Sequence, residues 1–352
     1  MFHMYINGYV SYLPKGVDAI VSQGALGVSI FFALSGFLLT YSHLKDFVGG
    51  QIEGMSYYRH FIAKRIARIY PVYLIGLLFA LIVSFGLDNI PSKLPLLTVL
   101  NATMVHSWMP SLAMQWYGGG SWSISTEMFF YLAFPVLLPL LVRVKKAKTL
   151  FVLLGIIIVL AAIPGLMLNY DRVESTDESM FVYVFPIFRI SEFIAGVITG
   201  LLVLRFGWRV PVWTALSALA GAGIYLARFG FRLSGYVPHN LFFLPAIVAL
   251  LGCLAHSPSS LVFRWLGSRL ALYLGRISYS FYILQIVLLI LAEDMWKNGT
   301  MPHSAWWIAP TFFMINIAAA VIVYEVVEKR MHKHFLSWLL PSIKNKPRTA
   351  VL

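Results

Sequence analysis

The stretch GGGSWSISTEMFFYLAFP, residues 118–135, holds one carboxylate, Glu127, in an otherwise apolar run. No Lys or Arg between Pro95 and Val142 stands near it in sequence to neutralise it. A charge at the centre of a bilayer costs about 2.5–3.5 kcal/mol even on the lenient insertion scale, so such a residue usually faces a protein interior or a wet cavity. The run is therefore a candidate membrane span, and Glu127 is a candidate functional residue.

The composition of the whole chain extends this interpretation. Hydrophobic residues make up 59% of the chain and charged residues 12%, whereas soluble domains have about 45–50% and about 25%. The mean hydropathy is +0.79, which indicates a polytopic membrane protein. The single cysteine, Cys253, excludes an intramolecular disulfide and a multi-cysteine metal site, and no histidine spacing suggests a metal ligand set.

Nine runs approach the roughly 20 apolar residues that a membrane-spanning helix needs, so we predict an all-α transmembrane helix bundle. These runs are 24–42, 70–87, 122–142, 149–168, 181–204, 210–227, 238–256, 271–292 and 305–327.

The connections between the runs predict how the bundle is oriented. Most of the 27 Lys and Arg residues fall on one side, which we read as cytoplasmic, and the acidic loop 171–179 lies on the other. The basic connections are 43–69, 143–148, 205–209, 257–270 and the tail from 328. This distribution explains the net charge of +13 by membrane topology and not by nucleic-acid binding. The apolar segment 94–108 would break the alternation as a crossing, so we expect it to be re-entrant or interfacial.

The start of the chain has an unusual pattern. Nine spans with a cytoplasmic tail place residue 1 outside, yet no cleavable signal sequence opens the chain. Residues 1–13 are apolar but too short to span, so we expect them to be the outer end of a truncated first span. We predict a single membrane-embedded domain over 1–340 and a basic cytoplasmic tail over 341–352.

Two sets of polar residues lie inside predicted spans. Ser123, Glu127 and Tyr131 are spaced i, i+4, i+8 and share one helix face. Glu127 then either pairs with an arginine to hold the bundle together or lines a substrate passage. Arg189 and Glu192 are spaced i, i+3, so they can form a mutual ion pair, which is our default, or Arg189 can pair with Glu127.

The segment RHFIAKRIARIYP, residues 59–71, is predicted to be an amphipathic cytoplasmic helix that ends at Pro71. Its cations either contact anionic lipid or clamp the phosphates of a nucleotide-bearing donor. The planar guanidinium matches phosphate geometry, which favours Arg65 and Arg68 over Lys64 for the second role. In GRISYSFYILQ, residues 275–285, Arg276 can snorkel and the tyrosines can pack.

Five motifs, taken in order, resemble the integral-membrane acyltransferase 3 family. They are GALGVSIFFALSGFLLTY, KRIARIYPVY, WSISTEMFFYLAFP, RISEFIAGVITG and GRISYSFYILQ. The resemblance implies a ten-span core in a bacterial inner membrane, with a cytoplasmic C-terminus. It also implies transfer of an acyl group, typically acetyl, from acyl-CoA to sugars of surface polysaccharides and glycolipids.

The resemblance also assigns roles to residues. His3 looks like the family's essential histidine, and Arg65 and Arg68 look like the basic motif associated with the CoA donor. Together with the patterns above, the predicted catalytic residues are His3, Ser123, Glu127 and Arg189. The predicted substrate-binding residues are Lys64, Arg65, Arg68, Trp122, Glu192, Arg276 and Tyr279. Acyl-CoA is expected as co-substrate, with no permanently bound cofactor, no metal and no nucleic-acid partner.

We expect neutral His3 to act as general base on the acceptor hydroxyl, or to form an acyl-histidine intermediate. Glu127 would orient His3, and Arg189 would hold Glu127 or the developing oxyanion. The chain departs from the family pattern in lacking an arginine eleven positions before His3 and in having Gln285 where histidine is frequent. Two alternatives therefore stay open, namely a flippase for a lipid-linked sugar and an inactive truncated member of the family.

Overall fold

The structure is a computed structural model that describes residue 24 and residues 26–48, 55–170, 181–229, 240–256, 261–300 and 307–340. Throughout these ranges the secondary structure is helical, which confirms the predicted all-α class. His3 and the predicted tail 341–352 lie outside the described residues, so the predictions about them stay predictions.

The described helices follow one another through short connections. They are α1 Leu26–Val48, α2 Met55–Gly86, α3 Leu94–Ala102, α4 Pro110–Ala113, α5 Gly118–Val142, α6 Ala147–Tyr170, α7 Pro186–Phe206, α8 Val212–Phe229, α9 Asn240–Leu254, α10 Leu261–Leu266, α11 Arg269–Lys297, α12 Ile308–Val323 and α13 Lys329–Leu339. A 3₁₀ turn, His106–Trp108, precedes α4, and a π-helical turn, Tyr324–Glu328, joins α12 to α13.

Seven helices in the described ranges are long and apolar enough to cross a membrane. They correspond to seven of the nine predicted spans, so the chain is a multi-pass membrane protein. The remaining two predicted spans, 210–227 and 238–256, correspond to α8 and α9. These helices are apolar but shorter over their described parts.

Helix α2 contradicts the prediction of a cytoplasmic helix that ends at Pro71. It is one helix of 32 residues with Pro71 in its interior. Packing explains the difference, because Pro71 is buried and Ala67, Val72 and Tyr73 around it are fully buried. Neighbouring helices commonly accommodate proline within membrane spans. At 1.5 Å per residue α2 is about 48 Å long, so it extends beyond the roughly 30 Å hydrocarbon layer.

The last span also continues further than predicted. Helix continues through the π-helical turn to Leu339, although the sequence placed the start of the tail at 328. Side-chain contacts hold this extension. Ser280 donates to Glu328 Oε2 at 2.7 Å, and Lys329 Nζ lies 2.6 Å from Glu325 Oε2. Phe335 of α13 then packs against Tyr70 of α2.

The segment between α2 and α5 is not a crossing, as predicted. Helix α3 has nine residues, or about 13 Å, which is less than half of the hydrocarbon thickness. Two residues near it, Met104 and Trp116, adopt positive φ values of 55° and 51°. Such conformations persist only where the surroundings hold them, so this segment is firmly fixed against α5.

Helices α1 and α7 approach closely through glycine. A Cβ added at Gly196 would lie 1.9 Å from the Ala33 carbonyl oxygen, and one at Gly36 would lie 2.1 Å from the Phe193 carbonyl oxygen. Small residues of this kind let helix backbones pack closely in membranes. The contact fixes α1, which forms one wall of the site described below.

We expect Gly196→Ala to lower the free energy of unfolding by about 1–3 kcal/mol, because overpacking forces the α1 and α7 backbones apart. Gly155→Ala on α6 is the matched control, since a Cβ added at Gly155 would have nothing within 4 Å of it. The control should be neutral or more stable by up to about 1 kcal/mol. Thermal unfolding in detergent tests this, and equal stability of the two variants would contradict the close packing.

Candidate active site

A cavity of about 610 Å³ lies between α1, α2, α5 and α11. Its polar lining comes from all four helices and includes a carboxylate and two guanidinium groups. The residues of this lining are Ser35, Ser42, Arg65, Arg68, Trp122, Ser123, Glu127, Tyr131, Ser278, Tyr279 and Tyr282.

The cavity runs along most of the bundle. The lining residues of α1 extend from Gly27 to Ser42, which corresponds to about 22 Å of helix. Three contacts order the site along α1. Phe32 packs edge-on against Trp122, Ser35 binds Glu127, and His43 binds Arg65. The two arginines therefore lie at the end that loop charge predicts to be cytoplasmic, and Glu127 lies between this end and Trp122.

Glu127 is 4% exposed and accepts two hydrogen bonds at the same carboxylate oxygen. Ser35 Oγ donates to Oε1 at 3.0 Å, and the Tyr131 hydroxyl donates to Oε1 at 2.5 Å. Arg65 and Arg68 are close enough to act electrostatically on the carboxylate. The predicted shared face of Ser123, Glu127 and Tyr131 is confirmed, because all three line the cavity.

Ser123 is linked to Tyr282 of α11, with 2.6 Å between their hydroxyl oxygens. The Tyr282 hydroxyl also donates to the Gly120 carbonyl at 2.7 Å. A phenol has a single proton, so Ser123 is the donor to Tyr282. Sequence reasoning treated Tyr282 as a packing residue and missed this contact. The i, i+3 spacing from Tyr279, which also lines the cavity, is the signal that indicates a shared face.

Tyr279 ties α11 to α2, because its hydroxyl donates to the Ile69 carbonyl at 2.8 Å. Trp122 lines the cavity with it. The other two predicted binding cations, Lys64 and Arg276, are exposed and lie outside the lining of this cavity.

Arg189 pairs with Glu192 and not with Glu127. Its Nη2 lies 3.3 Å from Glu192 Oε2, and the two side chains are 1% and 0% exposed. Ser29 Oγ and Asn240 Nδ2 each donate to Glu192 Oε1 at 2.8 Å. The default prediction of a mutual ion pair is therefore confirmed, and the alternative pairing with Glu127 is wrong.

The pair lies behind the cavity wall. The Arg189 guanidinium is centred 5.9 Å from the Trp122 ring and 5.4 Å from the Tyr183 ring, and both rings line the cavity. Neither Arg189 nor Glu192 is itself part of the lining. The geometry suits support of the aromatic wall more than direct contact with a reacting group.

A second polar network fixes the other face of α5. Ser121 Oγ lies 3.2 Å from His106 Nε2 and donates to Asn101 Oδ1 at 3.2 Å. Ser125 Oγ lies 2.6 Å from Ser107 Oγ. Sequence reasoning missed this network, although Asn101, His106 and Ser107 stand out as polar residues in an apolar segment. The network holds the first turns of α5, which present Trp122 and Ser123 to the cavity.

Burial lowers the pKa of His106 from 6.5 to about 4, so the imidazole is neutral in the folded protein. Between these values the unfolded chain binds a proton that the folded chain does not. The free energy of unfolding therefore falls as the pH drops through this window, by about 3 kcal/mol in total. We expect His106→Gln to keep the contact with Ser121 and to remove this dependence.

The measurement is the unfolding temperature in detergent from about pH 7 down to about pH 5. Other carboxyl groups titrate in both proteins, so the difference between wild type and His106→Gln isolates this residue. Parallel curves for the two proteins would show that His106 is not neutralised by burial.

Comparison with known proteins agrees with the motifs. A family model described as "Acyltransferase domain" matches residues 2–325. "Acyltransferase MdmB" of Streptomyces mycarofaciens is 26% identical over 334 residues, covering 88% of this chain and 81% of the relative. "O-acetyltransferase OatA" of Staphylococcus aureus is 23% identical over 343 residues, covering 89% of this chain.

The match covers 53% of OatA, so the chain spans about half the length of that relative. "Nodulation protein 10" of Rhizobium leguminosarum bv. viciae is 33% identical over 144 residues, or 36% of this chain. No solved structure matches the chain significantly. Since the family model covers nearly the whole sequence, the chain belongs to the acyltransferase 3 family.

Proposed function

We propose that this protein is an integral-membrane O-acyltransferase of the bacterial inner membrane, with a cytoplasmic C-terminus. It would move an acyl group, acetyl in the first instance, from acyl-CoA to a hydroxyl of a surface polysaccharide or lipid-linked sugar. One observation carries the proposal. A single cavity is lined at one end by Arg65 and Arg68 and further along by Glu127.

The donor would enter from the arginine end. Coenzyme A is polyanionic, and guanidinium groups match the geometry of phosphate oxygens. With its phosphates held by Arg65 and Arg68, the pantetheine arm would extend along α1 and bring the thioester towards Glu127. The positive-inside distribution of loop charge supports a cytoplasmic position for this end.

The chemistry requires that the acceptor hydroxyl lose its proton as its oxygen attacks the thioester carbon. The carbon–sulfur bond then breaks, and CoA leaves as a thiolate that takes up a proton. We propose His3 as the base, with Glu127 orienting the imidazole and stabilising its cation. An acyl-histidine intermediate serves the same overall transfer and stays an alternative.

Membranes that contain the protein, incubated with labelled acetyl-CoA and extracted surface glycans, test the proposal. We expect labelled glycan and free CoA to appear in equal amounts. A flippase that uses the same cavity would yield neither product, and its substrate would reach the outer leaflet without acetyl-CoA. Mass spectrometry of surface glycans with and without the gene would then identify the acceptor by its missing acyl group.

A further inference from the structure

A histidine outside the family motifs contacts one of the two cavity arginines. His43 lies on α1 and Arg65 on α2, and Arg65 Nη2 is 3.0 Å from His43 Nε2. A guanidinium group has donors only, so Nε2 must be the acceptor. The imidazole is therefore neutral, with its proton on Nδ1.

Aromatic rings fix the orientation of both partners. The His43 ring stands edge-on to Phe61 of α2 and Phe134 of α5, with centroids 5.1 Å and 6.2 Å away. The Arg65 guanidinium lies 5.3 Å from the Phe61 ring centroid and 5.7 Å from that of Tyr131. Three helices therefore define the position of this cation at the cavity wall.

The arrangement continues to the carboxylate. Tyr131, whose ring lies beside Arg65, donates its hydroxyl to Glu127, and Ser35 of α1 donates to the same oxygen. Helix α1 thus supplies one contact to the guanidinium through His43 and one to the carboxylate through Ser35. The relative positions of these two charged groups depend on a single helix.

We propose that His43 is a positioning residue that holds the Arg65 guanidinium ready for the phosphates of the donor, an inference that rests on the proposed function. A neutral imidazole suits this task better than a carboxylate. It accepts one hydrogen bond and so orients the guanidinium, but it leaves the positive charge uncompensated for an incoming anion. Partial burial of both partners among aromatic rings reduces the freedom that Arg65 would otherwise lose on binding.

Two variants separate the hydrogen bond from the shape of the side chain. Glutamine at position 43 offers an amide oxygen to Arg65, whereas leucine of similar size offers no acceptor. We expect His43→Leu to raise the Kd for CoA and the KM for acetyl-CoA about tenfold, with kcat within about twofold. We expect His43→Gln to stay within about threefold of wild type in both constants.

The measurements are CoA titration by calorimetry in detergent and steady-state transfer in membranes. Tyr41→Leu, at an exposed position on the same helix, is the control and should bind CoA like wild type. In an Arg65→Gln background, His43→Leu should add no more than about a twofold loss. This double variant separates a specific contact from general misfolding.

The outcomes are distinguishable. If wild type binds CoA and His43→Leu binds it equally well, the role of His43 is overturned while the proposed function stands. Equal weakening by glutamine and leucine, or a full tenfold loss in the Arg65→Gln background, also overturns it. If wild type binds no CoA, the donor assignment fails and the positioning role fails with it.

Discussion

Replacing Glu127 by glutamine is expected to lower kcat for acyl transfer by about 100- to 10 000-fold, the usual range for loss of a group that assists proton transfer. The substitution keeps the volume of the side chain and can still accept from Ser35 and Tyr131. It removes the negative charge that would stabilise a cationic imidazole during attack. Release of free CoA from labelled acetyl-CoA in membranes measures the effect.

Glu325→Gln provides the matched control for this prediction. Glu325 is bound by Lys329 and Tyr273 on α13 and α11, and it lies outside the cavity lining. We expect its variant to transfer acyl groups at the wild-type rate. Unchanged kcat in Glu127→Gln would remove this carboxylate from the mechanism.

The largest expected loss of stability follows from breaking the Arg189–Glu192 pair. Arg189→Met leaves Glu192 fully buried without its cation, and removal of one partner of a buried pair costs about 3–5 kcal/mol. We expect a lower unfolding temperature in detergent and a lower yield in membranes. The double variant Arg189→Met, Glu192→Leu should recover most of the loss, because no charge then remains buried.

The control is the exposed pair Glu293–Lys297, which has the comparable spacing i, i+4 and a distance of 2.7 Å. Surface pairs contribute about 0–1 kcal/mol, so Lys297→Met should have little effect. A loss in Arg189→Met no larger than that in Lys297→Met would show that the buried pair does not support the fold.

The sequence predicts the helical class and most spans because the apolar runs are long and their loops are strongly biased in charge. Glu127 stands out for an equally simple physical reason, since an ionic group in a long apolar run is costly. The continuation of α2 through Pro71 is different. It depends on burial against neighbouring helices, and no local pattern around Pro71 shows that burial.

The site is predicted only in part, because several of its contacts join distant residues. Arg65 is recognisable in its basic motif, but its contact with His43 crosses between two helices. Tyr282 meets Ser123 across a separation of 159 residues. Spacing rules report neighbours on one helix and say nothing about which helices meet, so these contacts needed three-dimensional information.

The glycine contact between α1 and α7 has a consequence for donor selection under the proposed function. Because backbone abuts backbone at Gly36 and Gly196, α1 has little freedom to slide. Ser35 and His43 are separated by about 12 Å along this helix. The helix then works as a molecular ruler. A thioester on a shorter or longer tether would sit out of step with its anchored phosphates and be rejected by its length, whatever acyl group it carries.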